Sequence, residues 1–92
     1  MSKSIMQDKK ECYICGSRMD LERHHVISGT ANRKLSEKYG LWVYLCHRCH
    51  TGDGGAQYEK ELNLRLKRDA QEAFENTYEG LSFRAIFGKS YL

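Results

Sequence analysis

Two pairs of cysteines, each with two residues between its members, constrain the fold of this 92-residue chain more than any other feature. The pairs are Cys12 with Cys15 and Cys46 with Cys49. Two such turns, set far apart in a small chain, are typical of a fold built round one tetrahedral zinc ion with four thiolate ligands. A chain of this size has room for only a small core, so additional stabilisation by a metal or by disulfides is expected. The competing interpretation, two redox dithiols, needs a thioredoxin-like βαβ context that we do not find in the sequence.

The first ten residues, MSKSIMQDKK, contain no apolar run behind their basic residues. We therefore expect neither a signal peptide nor a membrane span, and we expect the chain to stay in the cytoplasm. In that reducing compartment, paired thiols are metal ligands more often than disulfides.

Basic residues are in excess only in the part of the chain that carries the cysteines and histidines. The formal net charge is +3, from 15 basic and 12 acidic residues. Residues 1–55 contain nine Lys or Arg and six Asp or Glu, whereas residues 56–92 contain six of each. Because many unrelated domains have a similar excess, it is only a weak indication of a polyanionic partner such as nucleic acid.

Glycines and apolar runs divide the chain into predicted elements. After a first turn at Gly16, a strand is predicted through the adjacent histidines, and the run LWVYLC predicts a second strand that leads into the second cysteine pair. Between them, a short helix is predicted to end at Gly40. Apolar residues at steps of three and four predict an amphipathic helix over residues 56–78, and LSFRAIFG predicts a shorter helix that ends at Gly88.

We interpret residues 1–92 as a single α+β domain. Residues 1–10 are polar and are expected to be flexible. Residues 11–55 are expected to form the core that carries the zinc and the histidines, and residues 56–92 the helical part. The apolar stripes of the two predicted helices are assigned to packing rather than to a partner surface.

Three of the four histidines fall where the two cysteine pairs could bring them together. His24 and His25 are adjacent on a predicted strand, so their side chains should point to opposite faces. His50 directly follows Cys49 and is fixed by the second turn. Together the three could supply two metal ligands and one imidazole that accepts a proton, which is the set that phosphodiester hydrolysis needs. His47 is predicted to be exposed, because four cysteines already fill a tetrahedral zinc.

The segments CYIC, LERHHVISG and LWVYLCHRCH together resemble the HNH endonucleases, the ββα-metal nucleases, in their zinc-stapled form with four cysteines. The resemblance is strong from Cys12 to Gly54 and looser over the tail, and it is most marked for small bacteriophage-type members. It implies a ββα-metal core (His-Me finger, treble-clef-like) on a structural zinc with two C-terminal helices. The implied activity is hydrolysis of DNA phosphodiester bonds, by nicking or double-strand cleavage.

The resemblance gives the two adjacent histidines different duties. It implies that His24 is a ligand of the catalytic metal, that His25 is the general base that activates water, and that His50 is the closing metal ligand. The catalytic cation would be Mg²⁺, Mn²⁺, Ni²⁺ or Zn²⁺, and imidazole ligands suit the last three better than Mg²⁺. DNA is the implied partner, with phage packaging or recombination proteins as further candidates in a bacterial host cytoplasm.

One position departs from the family pattern. The central asparagine of the family usually begins the strand into the second cysteine pair, where this chain has Leu41. Asn32 is the only asparagine between the histidines, but its spacing is wrong, and an asparagine in a polar loop is more often a turn former or cap. Asp53 and Gln57 are candidates for the third metal ligand found in some members.

Several basic residues are candidate phosphate contacts, although each one alone is more often a solvated surface charge. They are Arg18, Arg23, Arg33, Lys34 and Arg48.

Two other interpretations of the chain's function stay open. One is a catalytically inactive, zinc-stapled module that binds nucleic acid, which Leu41 favours. The other is a structural zinc domain that binds protein through its helices.

Overall fold

A computed structural model describes residues 3–27, 30–51 and 60–92. These residues form a small mixed α/β structure in which two strands and four helices can be described. In chain order the elements are β1 (Leu21–His25), α1 (Thr30–Tyr39), β2 (Trp42–Cys46), α2 (His47–His50), α3 (Lys60–Thr77) and α4 (Phe83–Phe87). None of the helices in these three stretches is long and apolar enough to span a bilayer.

The two strands pair antiparallel, in a register that places His25 opposite Trp42 and Leu21 opposite Cys46. We call this strand pair, which is connected through α1, the hairpin. Residues directly opposite each other in an antiparallel pair share a face of the sheet, and alternate residues of one strand do so as well. One face therefore carries His25 and Trp42, and the other carries His24 opposite Val43. The two strands predicted at the double histidine and at the LWVYLC run are confirmed, and the structure adds that they pair with each other.

Gly40 joins α1 to β2 at a position that only glycine fits. Its φ of +75° lies in the left-handed region, and a β-carbon there would clash with the carbonyl oxygen of Lys3. The N-terminal segment, residues 3–10, packs this closely because the backbone N–H of Ile5 donates to the Gly40 carbonyl at 2.9 Å. The flexibility expected of residues 1–10 stays a prediction, but Ser4, Ile5 and Gln7 are hydrogen-bonded to β2 and to Gly40, which precedes it.

The C-terminal helices form most of the core with the buried face of β2. The apolar stripe predicted for the long helix is buried at Leu66, Ala70 and Phe74, at steps of four residues along α3. The Phe74 ring contacts four other aromatic rings, which are those of Tyr39, Tyr78, Phe83 and Phe87. The predicted start of this helix, before Lys60, lies outside the described residues.

Helix α4 is the predicted short helix, and its two ends have the expected chemistry. The side chain of Ser82 accepts a hydrogen bond from the N–H of Ala85 at 3.1 Å, which caps the first turn. Gly88 ends the helix in the left-handed conformation, with φ of +81°. The stop predicted at Gly88 is confirmed.

Candidate zinc site and histidine cluster

The two cysteine pairs meet in space and could hold one metal ion such as zinc. The Sγ atoms of Cys12, Cys15, Cys46 and Cys49 all lie within 4.8 Å of one another. Those of Cys15 and Cys46 are 3.6 Å apart. A tetrahedral zinc with Zn–S bonds of about 2.3 Å separates its sulfur ligands by roughly 3.8 Å, whereas a disulfide needs about 2.05 Å. The spacing therefore suits a shared metal and not a disulfide.

The first cysteine turn is formed by local backbone bonds and joined to the sheet. The N–H of Gly16 donates to the Cys12 carbonyl at 2.9 Å, and the left-handed conformation of Gly16 closes the turn. The N–H of Tyr13 donates to the carbonyl of Tyr44 in β2 at 2.8 Å. Because β2 also ends at Cys46, these bonds bring both cysteine pairs to one end of the hairpin.

The pKa values of the cysteine thiols are consistent with a site that binds a cation. Burial opposes ionisation of Cys12, but backbone hydrogen bonds, that of Cys15 first, outweigh it and lower the Cys12 pKa to about 6. Burial, and hydrogen bonds that the Cys49 thiol donates to the neighbouring sulfur atoms, that of Cys46 first, raise the pKa of Cys49 to about 12. Without a cation, one thiolate in the cluster thus opposes formation of the next. A bound divalent ion removes this conflict, since it favours the thiolate at every ligand.

His24 and His50 form a second cluster on the other face of β1 from His25. Their ring centroids are 5.0 Å apart in an edge-to-face arrangement. Among the described residues, Nε2 of His24 is the only buried side-chain nitrogen or oxygen without a hydrogen-bond partner. Burial, and then the charges of His50 and His25, lower the His24 pKa to about 4. His24 is therefore neutral at pH 7, with one buried nitrogen directed at no partner in the described structure.

Glu22 orients His50, a role that the sequence analysis missed. Its Oε1 lies 2.8 Å from Nδ1 of His50, and its Oε2 lies 3.3 Å from Nδ1 of His47. These two hydrogen bonds lower the pKa of Glu22. With Nδ1 of His50 bound to a carboxylate, Nε2 is the ring nitrogen that remains for a ligand. The signal in the sequence was the spacing of Glu22 from His24, two residues apart on one strand face.

His25 is held by a different carboxylate on the opposite face. Its Nε2 lies 2.8 Å from Oε2 of Glu37 in α1, and the other oxygen of that carboxylate lies 2.7 Å from Nη1 of Arg23. The Arg23 guanidinium in turn lies over the Trp42 ring, at 3.8 Å from its centroid. Glu37 could not be predicted as a partner of His25 from the sequence, because its place beside His25 depends on how α1 packs against the two strands.

The remaining predicted site residues are distributed as follows. Asn32 lies in α1 and is partly buried, while Asp53 and Gln57 lie outside the described residues. His47 is exposed, as predicted. The predicted phosphate contacts other than Arg23 are also exposed, and they are Arg18, Arg33, Lys34 and Arg48.

Comparisons of this chain with protein-family models, with curated proteins and with solved structures find no match. We therefore infer the function from the chemistry of the residues described above.

Proposed function

We propose that this chain is a metal-dependent endonuclease of the HNH type, which hydrolyses DNA phosphodiester bonds by nicking or double-strand cleavage. In this proposal β1, β2 and α2 form the ββα-metal core on the four-cysteine zinc. His24 and His50 bind the catalytic cation, and His25 is the general base. The proposal depends chiefly on one observation. The His24 and His50 rings are in edge-to-face contact, and the buried Nε2 of His24 has no hydrogen-bond partner among the described residues.

The His24–His50 pair fits a divalent cation. Ring centroids 5.0 Å apart are close enough for one nitrogen of each ring to reach a shared ion at about 2.0–2.1 Å. His24 is neutral at pH 7, as a metal ligand must be, and Glu22 makes His50 a stronger donor through its Nδ1. Mg²⁺, Mn²⁺, Ni²⁺ and Zn²⁺ are the candidate ions, and Asp53 and Gln57 stay candidates for a further ligand. When bound, the ion would neutralise charge on the scissile phosphate and the leaving oxygen.

The contacts of His25 suit a general base. If Nε2 donates its proton to the Glu37 carboxylate, Nδ1 has the free lone pair that can accept a proton from water. His25 is the last residue of β1, so its ring leaves the hairpin at the same end as that of His24, although from the opposite face. A phosphate that meets both the ion and the base must therefore bind at this end of the hairpin.

Leu41 is compatible with this proposal because the backbone braces the chain beyond His25 by other means. The Leu41 carbonyl accepts a hydrogen bond from the N–H of Val26 at 3.1 Å, and its N–H donates to the Ser36 carbonyl at 2.8 Å. The Ser36 hydroxyl donates to the carbonyl of Ile27 at 3.2 Å. These bonds tie the segment after the base to β2 and α1, which is the task of the central asparagine in the family. The Leu41 side chain can then pack in the core, where it is fully buried.

A plasmid-nicking assay tests the proposal. Wild-type protein should nick supercoiled DNA when Mn²⁺ is added and should stop when the ion is chelated. His25→Ala should keep its circular dichroism spectrum, its zinc and its DNA affinity, but should lose about 10²- to 10⁴-fold in rate, the usual contribution of a general base. Cleavage by this variant within about threefold of wild type would reject the role of His25. DNA binding without ion-dependent cleavage by the wild type would instead favour the catalytically inactive binding module.

A further inference from the structure

We infer that a basic groove between the N-terminal segment and the hairpin binds the phosphate backbone of duplex DNA. The groove has a volume of about 500 Å³, and it lies along β2. The inference deepens the proposed function, since it names the surface along which the substrate would reach His25. The lining residues on which it depends are Lys3, Lys9, Lys10, Arg23, Trp42 and Tyr44.

The charge of the groove suits a polyanion. Its lining contains four cationic side chains and one carboxylate, that of Asp8. Lys3, Lys9 and Lys10 are exposed, and within residues 3–27, 30–51 and 60–92 none of them forms a salt bridge. Arg23 is paired with Glu37, so the three lysines supply the excess positive charge. Cations that outnumber the carboxylates on one concave surface raise the local positive potential and attract phosphates.

Both aromatic residues of the groove lie beside cationic side chains. The Arg23 guanidinium covers the Trp42 ring, and Trp42 is only 5% exposed. The amine of Lys10 lies 5.6 Å from the centroid of the Tyr44 ring. The two rings pack edge to face, with centroids 5.1 Å apart. The groove therefore offers mainly positive charge, which contacts phosphates and does not read base edges, so binding to it should not depend on DNA sequence.

The lysines are presented by a segment that is already ordered along β2. The N–H of Tyr44 donates to Oε1 of Gln7 at 2.6 Å, and the hydroxyl of Ser4 donates to the Trp42 carbonyl. The Gln7 amide also donates to the carbonyl of Lys9 at 3.2 Å. Because this backbone is fixed before DNA arrives, binding loses less conformational entropy than it would with a free basic tail.

The groove lies on the face of the hairpin that carries His25. Trp42 is directly opposite His25, and Arg23 precedes His25 by two residues on the same strand. Arg23 belongs to both features, since it lines the groove and donates to the Glu37 carboxylate that holds His25. This continuity with the proposed base favours DNA over an acidic protein as the occupant, because DNA bound in the groove would extend towards His25.

Fluorescence anisotropy with labelled duplex DNA tests the inference, with no divalent ion added so that no cleavage is needed. Lys9→Gln/Lys10→Gln is compared with a control pair that removes two charges outside the groove, Arg84→Gln/Lys89→Gln. The groove variant should bind each of two unrelated duplexes with an affinity lower than that of wild type by on the order of tenfold, and the loss should be the same for both duplexes. Its slope of log K against log salt should fall by about two, since each phosphate contact contributes about 0.9. The control pair should keep the wild-type slope.

Three results would overturn the inference. They are an unchanged slope for the groove variant, an equal loss in the control pair, and displacement of DNA by polyglutamate as readily as by unlabelled duplex. The endonuclease proposal fails separately. If the protein binds DNA through the groove but never nicks it, the groove inference stands and the endonuclease proposal is rejected. If the wild type nicks DNA but the Lys9→Gln/Lys10→Gln variant binds DNA normally, the endonuclease proposal stands and the groove inference is rejected.

Discussion

The carboxylate of Glu37 lies between His25 and Arg23, at 2.8 Å from the imidazole and 2.7 Å from the guanidinium. Partial burial works to raise the pKa of Glu37, but the hydrogen bond from His25 and the charge of Arg23 outweigh it and lower that pKa. Glu37 therefore stays ionised at neutral pH. An ionised carboxylate at one ring nitrogen fixes both the orientation and the tautomer of His25, and it stabilises the imidazolium that forms when a base accepts a proton.

Glu37→Gln should lower kcat by about 10- to 100-fold, which is less than the loss of the base itself, because the amide still orients the ring but no longer stabilises its charge. KM should stay within about twofold, since Glu37 is proposed to act through His25 and not on the substrate. Steady-state nicking kinetics give both constants, and Glu79→Gln, in an exposed turn, is the matched control. A rise in KM with unchanged kcat would contradict the positioning role.

The His24→Ala/His50→Ala variant should stay folded, retain about one zinc per chain after dialysis, and be inactive with any divalent ion. The reason is that the proposed zinc ligands are thiolates, whereas the proposed catalytic ion has imidazole ligands and should exchange readily. Mass-spectrometric metal counting and circular dichroism measure the two properties. Loss of zinc from this variant would mean that the histidines belong to the zinc site, against the arrangement proposed here.

The sequence predicted the elements of this fold better than it predicted the contacts between their side chains. Cysteine spacing, the apolar run of β2 and the stop at Gly88 act locally, so they could be interpreted without the tertiary structure. The alternation of side chains on a strand also predicted that His24 and His25 point to opposite faces. Which carboxylate meets each ring could not be predicted, because that depends on the strand register and on the packing of α1.

The N-terminal segment illustrates the same limit. A polar, lysine-rich stretch looks unstructured by composition, since it contributes little apolar surface to a core. In the structure it is hydrogen-bonded along β2 through Ser4, Ile5 and Gln7. Neither this contact nor the groove beside it leaves a pattern in the sequence. The close approach of Lys3 to Gly40 explains why that glycine has more than a helix-ending role.

The depressed pKa of His24 predicts how stability changes with pH. The folded-state pKa is about 4, below the ordinary value of about 6.5, so the fold favours the neutral ring. The contribution of the neutral His24 ring to the free energy of unfolding is fully present above pH 6.5 and is lost as the pH falls towards 4. Acidification from pH 7 to pH 5 should therefore lower the free energy of unfolding by about 1–2 kcal/mol through His24.

Denaturant unfolding of wild type and His24→Leu, with zinc at one equivalent, measures this effect. Both proteins lose stability as the thiolates protonate, so the difference between their pH slopes isolates His24. In NMR spectra the His24 ring signals should also stay those of a neutral imidazole down to pH 5. Identical pH slopes, or a ring that titrates near pH 6.5, would show that His24 is not buried as described.

Removal of a cysteine should affect stability far more than removal of any hydrogen bond in the same turn. A four-thiolate zinc supplies on the order of 10 kcal/mol of apparent binding free energy, which is comparable to the whole net stability of a small domain. Cys12→Ser should therefore lose zinc and unfold at pH 7. Tyr13→Phe, next to it in the chain, removes only the hydrogen bond from the Tyr13 hydroxyl to Asp69 at 3.0 Å and should cost about 1 kcal/mol with zinc retained. Metal counting and circular dichroism compare the two variants, and a folded, zinc-free Cys12→Ser protein would show that the four cysteines do not staple this fold.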